Sequence, residues 1–122
     1  MSQREKVIAF IIQQQSSRFR VIDNTGSDKK IIGGQFPDII FFPKEPANST
    51  NALIVFKIEN GSELVDSVPI WQGLGSAPSV LYIVVPKTKL DDVKKLAVLT
   101  GVRAKFGWYE MDKENVEYVN YE

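Results

Sequence analysis

The stretch SVLYIVVP, residues 79–86, constrains the fold more than any other part of this chain. It is a continuous apolar run of strand length. A strand of that kind is covered on both faces, as in the middle of a sheet with helices above and below. The segment after it, KTKLDDVKKLAVLTG, is the clearest helix: Leu90, Val93, Leu96 and Ala97 recur at helical spacing. Thr88 and Asp91 resemble a capping box, Asp91 and Asp92 suit the positive end of the helix dipole, and Gly101 stops the helix. RAKFGWYEM then reads as a last strand. Strand, helix and strand in this order need a helical crossover, which favours parallel pairing.

The upstream half is equally segmented. SQREKVIAFIIQQQ has Val7, Ile8, Ile11 and Ile12 on one helical face. FRVID, residues 19–23, is a short strand, and NTGSDKK after it is turn chemistry, with Asn24 and Gly26 suited to left-handed conformations. KIIGGQFPDIIFF is a second strand region in which Gly33 and Gly34 mark a bend or bulge. PKEPANSTN is a loop and ALIVFKIE a third strand. Ser67 is placed to cap a short helix through VPIWQGL, with Pro69 tolerated in its first turn. The expected architecture is α/β: one mixed β-sheet flanked by helices, in the order αβββαβ and then αβ, forming a single domain over residues 1–122.

At 122 residues, with 43% apolar and 25% charged residues, the chain has the size and composition of one globular domain with a real core. No apolar run approaches the roughly 18 residues of a membrane span. The N-terminus mixes Arg4, Glu5 and Lys6 with a short apolar patch, which suits a helix better than a signal peptide. A cytoplasmic protein without a membrane partner is expected, and the glycosylation-like triplets Asn48-Ser49-Thr50 and Asn60-Gly61-Ser62 are then chance matches.

The chain has neither Cys nor His. That removes disulfides, zinc sites of the usual kind, cysteine nucleophiles and Ser-His-Asp catalysis. A metal here would take oxygen ligands, which suit Mg²⁺ or Mn²⁺. Formal net charge is zero, with acidic residues concentrated after Glu110. A free-standing nucleic-acid binder usually shows a clearer basic excess.

Within the third strand, charge interrupts an apolar pattern. Ile54, Phe56 and Ile58 share one face; Val55, Lys57 and Glu59 share the other. Lys57 and Glu59 stand roughly 6.5–7 Å apart along the strand. If the preceding strand pairs with it through the Pro43–Asn51 loop, Asp38 joins them. Two carboxylates could hold Mg²⁺ or Mn²⁺, and an ammonium could orient a water or stabilise charge on phosphate oxygens. The alternative is a structural Lys–carboxylate pair at the end of a strand.

FPDII, a loop and then an apolar strand carrying Lys57 resemble the PD-(D/E)xK nuclease superfamily, the restriction-endonuclease-like fold. The order helix, three strands, helix, strand is similar to that family's core, and SVLYIVVP with its following helix and strand resembles small, uncharacterised prokaryotic members. The resemblance covers nearly the whole chain. It implies Asp38 as a metal ligand, Lys57 as the catalytic lysine and Glu5 as the helix acid that some members add to the metal site. Where the family carries its acid, two residues before the lysine, this chain has Val55. Glu59 lies two residues after it, so the motif is reversed, with Glu59 a candidate substitute for the missing acid.

Two functions follow from the resemblance. One is a Mg²⁺- or Mn²⁺-dependent nuclease acting on nucleic acid, DNA ahead of RNA, as a homodimer or with a partner protein. The other is a catalytically inactive nuclease-fold protein acting as a binding or assembly subunit. Trp71 is expected in the core, and Gln72 on the surface rather than facing the site.

Overall fold

A computed structural model describes residues 2–26, 30–43, 53–77 and 79–122. The elements are α1 (Gln3–Gln15), β1 (Phe19–Asp23), β2 (Ile39–Pro43), β3 (Ile54–Ile58), α2 (Val68–Ser76), β4 (Val80–Pro86), α3 (Leu90–Leu99), β5 (Lys105–Asp112) and β6 (Asn115–Tyr121). The six strands form one mixed sheet in which spatial order equals chain order. β1, β2 and β3 are antiparallel, β3, β4 and β5 are parallel, and β6 returns antiparallel to β5. The expected α/β sandwich is therefore present. The order αβββαβ is followed by αββ, one strand more than the sequence reading gave.

The core has two layers, one on each side of the sheet. Val7, Ile8 and Ile11 of α1 pack against Ile39, Phe41, Phe56, Ile58, Val84, Tyr109 and Val119. On the opposite side, α2 and α3 bring Val68, Trp71, Leu74 and Val93 onto Ile40, Val55, Leu81, Ile83 and Val85. Ile83, Val84 and Val85 of β4 are fully buried and alternate between the two layers. That is the two-sided burial expected of the apolar run. Among the described residues no helix is long and apolar enough to cross a membrane.

Local details depart from the sequence reading. α1 begins with a reciprocal cap, in which the Ser2 hydroxyl accepts from the Glu5 backbone N–H at 3.1 Å and donates to the Glu5 carboxylate at 3.2 Å. At α3 the expected Thr88–Asp91 box is absent: Lys87–Lys89 forms a 3₁₀ turn, Lys89 precedes the helix and no side chain caps it. Asn24 and Gly26 do not adopt a positive φ. Asn24 is instead a buried clamp, donating to the carbonyls of Lys30 and Pro37 and accepting from the Lys30 N–H, while its own N–H bonds the Asp38 carbonyl. The loop expected over 43–51 and the triplet at 48–50 fall almost wholly outside the described residues.

Gly33 and Gly34 form a tight reverse turn closed by two backbone bonds between Ile32 and Gln35, at φ +59° and +78°. A Cβ on Gly33 would lie 2.0 Å from the Gly73 carbonyl oxygen of α2. Both the turn and this backbone contact require glycine. Gly33→Ala is expected to destabilise the fold by about 2–4 kcal/mol, measured by urea unfolding. Gly34→Ala, whose Cβ would meet nothing within 4 Å, should lose only the cost of its backbone conformation.

Candidate functional site

The pairing of Ile40 with Val55 and of Ile39 with Phe56 sets Asp38, just before β2, beside Lys57. The Asp38 N–H bonds the Phe56 carbonyl at 2.8 Å, extending the ladder by one residue. Glu59, just past β3, bonds through its N–H to the Val84 carbonyl at 2.8 Å. The three sequence-predicted residues thus meet at the carboxyl end of β3. Lys57 Nζ lies 3.6 Å from Asp38 Oδ2 and 3.6 Å from Glu59 Oε2. Asp38 and Glu59 are 3% and 6% exposed, so these charges are held inside the fold.

Each carboxylate oxygen is already engaged. Asp38 Oδ2 accepts from the Ile58 N–H at 2.7 Å, taking the place of a backbone carbonyl in the β2–β3 ladder. Asp38 Oδ1 accepts from the Arg4 guanidinium, which reaches over from α1. Glu59 Oε1 accepts from the Ser67 hydroxyl at 2.9 Å, and Oε2 from the Trp71 indole N–H at 3.0 Å. The Glu59 carbonyl accepts from the Tyr109 hydroxyl, which itself accepts from the Gln3 amide, both at 2.9 Å. Two carboxylates, one ammonium and one guanidinium make a charge-balanced cluster anchored on α1, α2, β3 and β5.

The electrostatics follow this geometry. Burial works against the Arg4 charge, but the hydrogen bond and charge of Asp38, with the carboxylates of Glu59 and Glu5, outweigh it and raise the Arg4 pKa. Burial likewise pushes the Tyr109 phenol upward, with the Gln3 hydrogen bond opposing. Tyr109 therefore stays protonated and serves as a donor to the Glu59 backbone.

Several residues of the site were not legible in the sequence. Arg4, Gln3 and Tyr109 carry no motif that marks them, and Ser67 is marked only as a helix cap. Ser67 does stand at the start of α2, but it makes no side-chain cap bond and its hydroxyl is spent on Glu59. Trp71 is in the core as expected, and it is also a buried donor to Glu59. Gln72 is exposed and donates to the Thr100 carbonyl, away from the cluster. Glu5 is exposed, and its carboxylate faces the Ser2 cap; its neighbour Arg4 reaches Asp38 instead. Val55, at the position where an acid would complete the forward motif, is fully buried against α2 and α3.

The donor set does not fit a divalent cation. The space between the two carboxylates holds the Lys57 ammonium, their outer lone pairs point at Arg4, Ile58, Ser67 and Trp71, and the cluster carries no net negative charge to offset a metal's desolvation. Among the described residues no three acidic side chains gather as a metal group. Comparison with protein-family models, curated proteins and solved structures returns no match.

Proposed function

We propose that this chain is a non-cleaving protein on a restriction-endonuclease-like scaffold, acting as a binding or assembly subunit, with the Asp38–Lys57–Glu59–Arg4 cluster as a structural clamp. The order αβββαβ and the mixed pairing of β1 to β4 support the scaffold. The observation that carries the loss of cleavage is the position of Lys57 Nζ, 3.6 Å from each carboxylate, where a metal ion would have to sit. Nucleic acid, DNA ahead of RNA, is the partner that the resemblance offers, and a second copy of the chain or another protein is the assembly partner.

Metal-dependent cleavage is the second reading, favoured by one feature. The Arg4 side chain is 47% exposed and stands on the first turn of α1, so it is the one member of the cluster that could swing away. Incubating labelled single-stranded, duplex and branched DNA, and RNA, with the protein and Mn²⁺ separates the two. No shortened product is expected. Product that disappears in both Asp38→Ala and Lys57→Met would overturn the non-cleaving reading.

A further inference from the structure

At the opposite end of the sheet, the amino ends of the parallel strands, two pockets lie on either side. The first, about 220 Å³, is on the α1 side and is walled by Phe41, Phe56, Tyr82 and Tyr121, with Gln15 and Arg18 also lining it. Phe56 and Tyr82 stack with centroids 5.2 Å apart and planes 13° from parallel, and Tyr121 stands edge-on to both at 6.0 and 5.7 Å. The Tyr121 hydroxyl donates to the Gln14 side chain at 2.9 Å, which fixes its ring. Tyr82 and Tyr121 are only partly buried, so this aromatic wall is open to a ligand.

The second pocket, about 360 Å³, is lined by Arg103, Lys105 and Ser79, with the end of α2 at Gly75 and Ala77. The Ser79 hydroxyl is the one buried side-chain polar atom among the described residues that has no hydrogen-bond partner. Such an atom is costly unless something supplies its bond. The two pockets are joined by strand register: Tyr82 of the aromatic wall pairs with Lys105 of the basic pocket, and Ile54 pairs with Val80. None of the described residues lining either pocket is acidic.

We infer that this edge is a binding site for single-stranded nucleic acid, in which an unpaired base stacks in the aromatic pocket and a neighbouring phosphate enters the basic one. Aromatic faces accept any base, and a cationic groove follows the backbone. Arg103 lines the basic pocket and Lys105 stands beside Tyr82 in register, and both meet the phosphate charge. A duplex offers no free base face, so it does not fill the aromatic pocket. The site lies apart from the Asp38 cluster. It gives the binding reading above a ligand and rests on that reading.

The test is fluorescence anisotropy of labelled oligo(dT), with a matched duplex and thymidine monophosphate as competitors, on wild type, Tyr82→Leu and Lys105→Gln. Tyr82→Leu keeps an apolar side chain in place of the ring, and exposed Lys105 carries little of the fold. The expected result is preferential binding of the single strand. Tyr82→Leu should weaken it about 5- to 100-fold. Lys105→Gln should reduce the slope of log affinity against log salt by about 0.7. The site is overturned by any of four results: no binding of the oligomer, binding unchanged in both variants, tighter binding of the duplex, or the monophosphate competing as strongly as the oligomer. Shortening of the labelled strand in Mn²⁺ would contradict the non-cleaving reading alone, and loss of strand binding the strand site alone.

Discussion

Asp38→Ala lowers the stability of the fold by about 3–5 kcal/mol, read as a fall in the urea midpoint with an unchanged slope. Three groups lose their acceptor together. The Ile58 N–H, inside the sheet, is left without the oxygen 2.7 Å away. Lys57, with a side chain 12% exposed, keeps only Glu59 as a counter-charge. Arg4 loses its partner but is exposed enough to return to water, so it adds little. Asp38→Asn keeps an oxygen for the Ile58 N–H and removes only the charge. It should cost less than the alanine change, and an equal cost would mean that the ion pairs, not the ladder bond, dominate.

Lys57→Met gives the second large effect, and its signature differs. Removing the ammonium leaves two nearly buried carboxylates on one face with no cation between them. A loss of about 3–5 kcal/mol is expected, since truncating one partner of a buried pair strands the others. The same change opens the space that a divalent ion would need. Mn²⁺ should then raise the thermal midpoint of Lys57→Met, by about 2.7 kcal/mol of stabilisation at a hundredfold excess over its dissociation constant. The wild-type midpoint should not respond. Thermal unfolding of both proteins with Mn²⁺ and with a chelator checks this. A Mn²⁺-dependent rise in the wild type would place metal and lysine together and count against the clamp.

Asp38, Lys57 and Glu59 could be brought together from sequence because strand parity is rigid. Residues two apart share a face, and antiparallel pairing of FPDII with the third strand leaves little choice of partner for Asp38. The apolar run at 79–86 and the stripe of Leu90, Val93, Leu96 and Ala97 likewise reported burial that packing then used. What the pattern could not report was who completes the cluster. Arg4 lies on the first turn of α1, where a charged residue reads as solvated surface. Ser67 reads as a cap, yet it is in helical conformation at the end of a 3₁₀ turn, Leu64–Ser67, that runs into α2, and its hydroxyl donates to Glu59.

β6 was hidden for a different reason. Its hairpin turn, Asp112 to Asn115, contains no glycine, and Lys113 takes the left-handed conformation at φ +56°. The register then slips between Glu110 and Met111, whose partners are Tyr118 and Val116. Glu117 is the extra residue, so Val116 and Val119 reach the same core although they are three apart. A period of two fails across such a bulge, and the acidic residues concentrated after Glu110 carry no strand pattern of their own. The same glutamate, at the bulge of an edge strand, discourages pairing with another sheet.

The central claim is that the Lys57 ammonium occupies the space a metal would need between Asp38 and Glu59, with Arg4 closing the outer side of Asp38. Calorimetric titration of Mn²⁺ into the wild-type chain, with Asp38→Ala and Glu59→Ala as controls, tests it most directly. The account requires no saturable binding at millimolar metal in any of the three proteins. Saturable binding to the wild type that either substitution abolishes would contradict it and favour the metal-dependent cleavage reading.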